Sequence, residues 1–255
     1  MSDARQAFDA ARREIARQRD GAEVLVDLSP GRFAALEELP GEIAEFTDLE
    51  ALYLEDTQIT DLSPLTGLSG LKRLDVSHMP VRDFTPLAGL PALERLYLEN
   101  TQIADLTPLA GLRALKRLFL DDTQVTDLRP LAGLRALEWL FLGLTQVTDL
   151  APLAGLTRMR RLDLYATPVR DAGPIAGMTD LRMLVLGHTE IADLTPLAGL
   201  TRLAQAPEAL GLTFTGTPAA PPGSRLAEIA NLRDPGARAR ALFRYLDGSP
   251  LATEN

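Results

Sequence analysis

The sequence predicts an α/β solenoid in which about nine short parallel strands form a curved sheet, with helical or 3₁₀ returns on the convex side and helical caps at both ends. Three observations predict this fold class. A unit of 22 residues recurs seven times without an insertion, each unit holds one short stretch of alternating leucines, and both ends of the chain depart from the repeat as terminal caps do. We predict a single domain spanning residues 1–255.

Residues 1–48 are predicted to form an N-terminal cap helix and an irregular first coil. A helix over residues 2–19 would be amphipathic, and Gly21 can end it. The apolar face of this helix is expected to hold Ala4, Phe8, Ala11 and Ile15. The spacing of residues 26–29 then matches that of the later strands, which predicts the first strand there.

Residues 49–202 comprise the seven repeat units, which read LxxLxLxxTxIxDLxPLAGLxx. Leucines at positions four and six alternate with variable residues, as in a short strand with one buried face. Position nine is Thr in every unit except at Met79, and its hydroxyl can satisfy the backbone as the chain turns. The Asp, Pro and Gly that follow fit a capped helical or 3₁₀ return. Local capping is favoured over a column of metal-binding carboxylates, because every unit needs the cap.

This pattern resembles the leucine-rich repeat, specifically the 22-residue class found in bacterial internalins and in phosphatase-regulatory repeat proteins. The segment DLSPLTGLSGLKRL at residues 61–74 is similar to the internalin return, and the resemblance covers residues 49–202. Those families usually carry Asn at position nine, where this chain carries Thr, which alters the hydrogen-bonding ladder but not the architecture. The resemblance implies a protein-interaction module.

Residues 203–255 are predicted to form an irregular last coil with six extra residues, a ninth strand near Leu212, and C-terminal cap helices. The cap helices are expected over residues 224–232 and 235–246, separated from the last strand by the break Pro221-Pro222-Gly223.

Composition excludes several classes of function. The net charge of -9 argues against a nucleic-acid binder, because phosphate neutralisation needs clustered Lys and Arg. The absence of cysteine excludes disulfides and thiolate sites, and no apolar run is long enough for a membrane span or signal peptide. We therefore expect a cytoplasmic, bacterial protein with no cofactor, no metal site, no nucleic-acid partner and no membrane association.

The candidate binding surface lies on the concave side of the sheet, at positions three, five, seven and eight of the units, where the repeat varies and side chains point away from the leucines. Trp139, Phe141 and Leu144 belong to one rung of this surface, and exposed aromatic and Arg side chains are typical of binding hot spots. The predicted contacts are Tyr53, Arg73, Arg95, Tyr97, Arg117, Phe119, Asp121, Trp139, Phe141, Leu144, Arg161 and Tyr165.

Two alternatives stay open for this surface. Neighbouring rings can simply stack on one another. The adjacent arginines at position three can be compensated internally or can await a carboxylate or phosphate of a partner. The internal carboxylates are Asp75 after Arg73, Asp163 after Arg161, and Glu99 and Asp121 further along their own strands.

The predicted function is a non-enzymatic module that binds an unknown partner protein or peptide on the concave face. Catalysis lacks support, because the chain has no cysteine, only two histidines five coils apart, and no glycine-rich phosphate loop. The alternatives are a regulatory subunit that docks on an enzyme such as a phosphatase, and a homodimer that buries the aromatic rung.

Overall fold

The structure, a computed structural model, describes residues 3–21, 24–205 and 211–248. The chain divides into two compact units, Met1–Val125 and Thr126–Asn255. The single domain expected over residues 1–255 stays a prediction. The extra residues of the last coil include 206–210, and the predicted C-terminal region runs to 255, so these predictions fall partly outside the described residues.

The first unit begins with a cap helix and continues as parallel strands paired in chain order. Its elements are α1 (Asp3–Asp20), β1 (Leu25–Asp27), β2 (Ala51–Tyr53), β3 (Arg73–Asp75), β4 (Arg95–Tyr97) and β5 (Arg117–Phe119). Its 3₁₀ helices are Gly41–Glu45, Ser63–Leu65, Thr85–Gly89 and Thr107–Leu109.

The second unit repeats this plan and ends in helices. Its elements are β6 (Trp139–Phe141), β7 (Arg161–Asp163), β8 (Met183–Val185), β9 (Leu212–Thr213), α2 (Arg225–Ala230) and α3 (Pro235–Leu246). Its 3₁₀ helices are Arg129–Gly133, Ala151–Leu153, Gly173–Ile175, Thr195–Gly199 and Thr201–Gln205. The nine described strands, the 3₁₀ returns and the terminal helices confirm the predicted fold class.

Leucines form the core of both units in the same way. The middle residue of each strand from β2 to β8 is a leucine with no exposed surface, as at Leu96 and Leu140. In a strand the residues on either side of this leucine must point the opposite way. The repeat therefore decides which side chains are available for binding.

Buried threonines close each turn after the strand. Thr101 Oγ1 donates to Leu98 O at 2.7 Å, and Thr145 Oγ1 donates to Leu142 O at 2.7 Å. The same bond is formed by Thr57, Thr123, Thr167, Thr189 and Thr217. The predicted role of position nine is confirmed, and it extends to the ninth coil.

The repeated aspartates cap the returns, as predicted. Asp61 accepts the backbone N–H of Ser63 at 2.7 Å, and Asp193 accepts that of Thr195 at 2.8 Å. Asp83, Asp105, Asp127, Asp149 and Asp171 make the same bond. These donors hold the pKa of Asp61 and Asp193 below the usual value.

One prediction for the cap helix needs correction. The buried face of α1 is formed by Ala7, Ala11, Ile15 and Gln18. Ala4 and Phe8, which were expected on that face, are only partly buried. The helix packs with the small side chains of Ala7 and Ala11 inward, while the ring of Phe8 lies at the border beneath the guanidinium of Arg5, 5.6 Å from its centroid. The two C-terminal helices agree with the sequence, and Ser224 and Asp234 cap them.

Candidate functional site

The strand face is the surface formed by positions three, five, seven and eight of the repeat units, and it holds all twelve predicted contacts. Each of them is partly or fully exposed. The first unit carries Tyr53, Arg73, Arg95, Tyr97, Arg117, Phe119 and Asp121. The second unit carries Trp139, Phe141, Leu144, Arg161 and Tyr165.

Not every slot of the strand face is exposed, which corrects the expectation from the repeat. The buried exceptions are Ala51, Asp75, Ser77, Gly143, Met183 and Gly187. Larger neighbours cover the small residues: a Cβ added to Gly187 would meet the ring of Tyr165 at 3.3 Å. The exposed part of the strand face is therefore discontinuous within each unit.

A column of arginines lines the strand face of the first unit. Arg73, Arg95 and Arg117 are the first residues of three consecutive strands, and the parallel register places each directly beside the next. Neighbouring strands are about 4.8 Å apart. Like charges at such positions are destabilising unless something compensates them.

Position two of the same strands is neutralised within the chain, as its alternating charges predict. The pairs are Lys72 with Glu50, Lys116 with Glu94, and Arg160 with Glu138. Position three behaves differently. Among the described residues, neither Arg73 nor Arg95 forms an ion pair with a carboxylate or a side-chain hydrogen bond. The expected pairing of Arg73 with Asp75 is therefore not formed.

Aromatic rings follow the arginines at position five. The rings of Tyr97 and Phe119 stack with centroids 4.5 Å apart and an angle of 9° between their planes. Burial raises the pKa of the Tyr97 hydroxyl, and the charges of Arg95 and Arg117 oppose that rise. Tyr53 lies apart from this pair, because the register places Asp75 between Tyr53 and Tyr97.

Acidic side chains lie at and beyond the carboxyl ends of these strands. Buried Ser77 links two of them: its N–H donates to Asp75 Oδ1 at 3.0 Å, and its hydroxyl donates to Glu99 Oε2 at 2.7 Å. Burial, followed by the nearby carboxylate of Asp75, raises the pKa of Glu55. Along β4 and β5 the order is thus basic, aromatic and acidic, whereas β3 carries Asp75 in place of a ring.

The second unit replaces the arginine column with a single arginine on a ring. The guanidinium of Arg161 lies 4.0 Å from the ring centroid of Trp139, its neighbour in the adjacent strand. The carboxylate expected to pair with Arg161 is engaged elsewhere, since Asp163 accepts the N–H of Tyr165 at 2.8 Å. Burial raises the pKa of Asp163, and the bond from Tyr165 opposes the rise.

Two large apolar side chains of this unit project into solvent. Leu144 is 52% exposed and Tyr165 is 43% exposed. They are neighbours, because the N–H of Leu144 donates to Tyr165 O at 2.8 Å. The ring of Tyr165 also meets the ring of His188 edge to face, with centroids 5.4 Å apart. The result is an exposed apolar patch formed by Leu144 and Tyr165.

Position eight has a feature that sequence reasoning missed: its residue adopts a left-handed backbone in all seven repeat units. The φ angles lie between 51° and 61° at Asp56, His78, Asn100, Asp122, Leu144, Ala166 and His188. Asp, Asn and His tolerate this conformation better than other residues with side chains. Their recurrence at one slot was the available signal. Leu144 and Ala166 do not fit this preference.

A further opening lies at the C-terminal end of the second unit and was not predicted from the sequence. It is a groove of about 870 Å³ between the turn after β9 and helix α2. Its walls include Pro218, Pro221, Pro222, Ala227 and Ala230, with His188 and Glu190 at one side. Glu190 is already engaged, because Arg170 Nε donates to it at 2.6 Å.

Metal ligands do not cluster in the described part of the chain, where no group of three or more His, Asp or Glu side chains is arranged to hold an ion. No helix within the described ranges has the length and apolar character needed to cross a membrane. The cytoplasmic location stays a prediction.

Comparison with known proteins identifies similar sequences and structures. The family model described as Leucine Rich repeats (2 copies) matches residues 90–133. The crystal structure of internalin C2 from Listeria monocytogenes is similar at 34% identity and a TM-score of 0.70, over 77% of this chain and 89% of that one. No curated protein matches the sequence significantly.

More distant structures share the fold. A leucine-rich repeat protein of Leptospira interrogans has 21% identity and a TM-score of 0.59, over 71% of this chain and 52% of that one. The plant peptide hormone receptor RGFR1, solved in complex with RGF2, has 20% identity and a TM-score of 0.58, over 76% of this chain and 38% of that one.

Proposed function

Because the chain belongs to the internalin-like leucine-rich repeat proteins, we propose that it is a non-enzymatic module whose strand face binds a partner protein or peptide. Leucine-rich repeat proteins typically serve as interaction modules and build extended binding surfaces from stacked repeats. The solved complex of the plant peptide hormone receptor with RGF2 is consistent with such a role for this fold. The similar proteins of Listeria and Leptospira support a bacterial origin.

Leu144 is the observation that carries the proposal. A leucine that is 52% exposed gains little from burial, and its φ of 61° places it where side chains of this kind are strained. Asn or Gly would suit that backbone better. An exposed leucine in an unfavourable conformation contributes little to stability, so we attribute its presence to binding.

The surroundings of Leu144 support the same proposal. Tyr165 lies beside it, and Arg161 lies on the ring of Trp139 in the same unit. Tyr, Trp and Arg are the residue types that most often dominate binding energy at protein interfaces. We propose that Trp139, Phe141, Leu144, Arg161 and Tyr165 form the centre of the partner contact in the second unit.

The test is affinity capture from a lysate of the source organism with wild type and Leu144→Asn. The variant removes the apolar side chain, and Asn tolerates the left-handed backbone at this position. It is therefore expected to fold and to capture at least tenfold less partner. A Trp139→Ala, Phe141→Ala variant is expected to lose capture as well, with little change in its thermal transition.

Leu232→Asn is the matched control, because Leu232 is 40% exposed but lies outside the strand face. It is expected to capture the partner as wild type does. Equal capture by Leu144→Asn and wild type would contradict the proposal. If the Trp139→Ala, Phe141→Ala variant does not fold, these side chains support the structure rather than the contact.

The predicted cytoplasmic location is tested separately by fractionation of the source cells. Recovery of the protein with cytoplasmic markers would confirm it, and recovery in the culture medium would contradict it.

A further inference from the structure

Two adjacent arginines of the first unit carry charge that no ion pair within the described residues neutralises. Arg73 and Arg95 are adjacent in register, and neither forms an ion pair there. Lys72, one residue before Arg73, is paired with Glu50 at 2.6 Å. The chain therefore neutralises one side of these strands and leaves adjacent positive charges on the other.

Two acidic side chains of the same unit are hydrogen-bonded to a serine. Asp75 and Glu99 both accept hydrogen bonds from Ser77, which follows the end of β3. In β4 and β5 the stacked rings of Tyr97 and Phe119 lie between the arginines and the acidic residues. A ligand that crosses these two strands would meet positive charge at one edge, rings in the middle and negative charge at the other edge, while Asp75 takes the place of a ring in β3.

This order of charges discriminates among ligands. A uniform polyanion would gain from the arginines but would be repelled by the acidic edge, and the net charge of -9 opposes its approach. A protein segment with acidic residues along one side and basic residues along the other would be attracted at both edges. Charge complementarity thus favours an amphipathic protein segment.

The spacing of the arginines favours a helical segment. Neighbouring strands present them about 4.8 Å apart. Residues i and i+4 of a helix lie about 5–6 Å apart, whereas residues i and i+2 on one side of an extended strand lie about 6.6–6.8 Å apart. A helix lying across the strands matches the column better than an extended peptide does.

We propose that the first unit binds an acidic amphipathic helix of the partner protein, whose carboxylates at i and i+4 pair with Arg73 and Arg95 and whose apolar side chains contact Tyr97. This inference rests on the proposed function, because it assigns a partner to the same strand face. Arginine suits the role because its guanidinium binds carboxylates in a bidentate geometry.

The experiment uses the full chain and two synthetic helical peptides of identical composition. In one peptide, Glu residues spaced three and four apart form a stripe along one side of the helix. Leu residues lie beside this stripe, and Lys residues lie on the opposite side of the helix. The other carries the same residues in an order that breaks the stripe. Binding is measured by fluorescence anisotropy at low and at physiological salt, because ion pairs at a surface weaken with salt.

The striped peptide is expected to bind wild type at least tenfold more tightly than the scrambled one. Arg95→Gln should weaken this binding about tenfold, and Arg73→Gln with Arg95→Gln about a hundredfold, as the loss of one or two charge-assisted contacts implies. Lys72→Gln is the matched control, since it removes the same charge from the other side of the same strand, and it should bind as wild type does.

Thermal unfolding of the same variants is a second readout. Removal of adjacent like charges should leave the melting temperature unchanged or raise it slightly. A marked fall in the Arg73→Gln, Arg95→Gln variant would mean that the arginines support the fold, and would overturn the proposal. Equal binding of both peptides, or tighter binding of a phosphoserine peptide through the same arginines, would also overturn it.

The two proposals fail separately. Loss of partner capture in Leu144→Asn without any preference for the striped peptide would leave the proposed function standing and reject the acidic helix. Stripe-specific binding that depends on Arg95, combined with unchanged capture by Leu144→Asn, would support the helix site and reject the patch in the second unit.

Discussion

The strand faces of the two units have the same backbone arrangement but carry different side chains. Along β4 of the first unit, a basic, an aromatic and an acidic side chain follow one another, at Arg95, Tyr97 and Glu99. In the second unit, Trp139 supports Arg161, and Leu144 and Tyr165 are exposed. The repeat therefore determines where side chains are displayed, while the variable positions determine their chemistry.

The arginines at position three have different neighbours in the two units. In the first unit Arg95 has an arginine on each side. In the second unit Arg161 lies between Trp139 and Met183, so no like charge is adjacent to it in the register. A cation on a tryptophan face is attracted by about 0.5–1 kcal/mol at an exposed site. The second unit thus places its arginine on a ring, whereas the first places arginines side by side.

The left-handed position eight differs in the same sense. In the first unit it is filled by Asp56, His78, Asn100 and Asp122, all of which tolerate a positive φ. Asn100 Nδ2 also lies 3.1 Å from His78 Nδ1. In the second unit it is filled by Leu144, Ala166 and His188. Only the second unit accepts a bulky apolar side chain there.

The largest expected effect is the loss of a core leucine, and it should be similar in the two units. Leu96→Ala in β4 and Leu140→Ala in β6 each remove a side chain with no exposed surface. Each is expected to lower the free energy of unfolding by about 2–5 kcal/mol. Urea unfolding followed by circular dichroism measures both. A cost below about 1 kcal/mol in one unit only would break the comparison, because it would show that the two cores are not equivalent.

Repetition explains how much of the fold could be predicted from the sequence. The strand positions, the buried threonines and the capping aspartates each recur in nearly every unit, so one physical reason accounts for all of them. The buried face of α1 occurs once. Phe8 is more apolar than Ala7, yet Ala7 is buried and Phe8 is only partly buried.

The site was less predictable because a side chain such as Arg161 has more than one potential partner nearby, and the sequence does not show which of them it contacts. From the sequence, Arg161 could contact either Trp139 or Asp163. Only the side-chain geometry shows that its guanidinium lies on the Trp139 ring, while Asp163 accepts a backbone N–H. The C-terminal groove depends on how the turn after β9 meets α2. The exposure of Leu144 was predicted, but its left-handed backbone was not, although Asp, Asn and His at the same slot of other units indicated it.

Loss of the buried threonine hydroxyl should lower the free energy of unfolding by slightly different amounts at Thr101 and Thr145. Thr101→Val and Thr145→Val each remove the donor to a carbonyl one turn earlier, at a cost of about 1 kcal/mol. The cost should be smaller at Thr145, because Leu142 O also accepts the Thr145 N–H at 3.3 Å. Chemical denaturation measures the difference. A larger loss at Thr145 than at Thr101 would show that this backbone bond contributes nothing.

An exchange at position eight sharpens the comparison further. Leu144→Asn is expected to raise the free energy of unfolding by up to about 1 kcal/mol, because Asn fits the left-handed backbone better. Asn100→Leu should lower it by a similar amount and also removes the contact with His78. Thermal melts of both variants provide the measurement. If Leu144→Asn proves destabilising, Leu144 contributes to packing, and its link to binding fails.

The smallest effect is a pH dependence of opposite sign at two carboxyl groups. Burial raises the pKa of Asp163 in the second unit, and hydrogen bonds from Ser63 lower the pKa of Asp61 in the first. For Asp163 the folded state binds the proton more tightly, so its contribution to stability is greatest below the unfolded pKa of about 3.9 and is lost as the pH rises through the folded pKa. For Asp61 the contribution is present above the unfolded pKa and is lost as the pH falls through the lowered folded pKa.

The melting temperature from about pH 2 to pH 7 therefore distinguishes the two aspartates. Relative to wild type, Asp163→Asn should gain stability towards pH 7, because its amide oxygen can still accept the Tyr165 N–H while carrying no buried charge. Asp61→Asn should lose stability towards pH 7 and match wild type near pH 2 at that site. If Asp163→Asn instead loses stability at pH 7, its carboxylate is stabilised in the folded chain, and a cation such as Arg161 is then close enough in solution to compensate it.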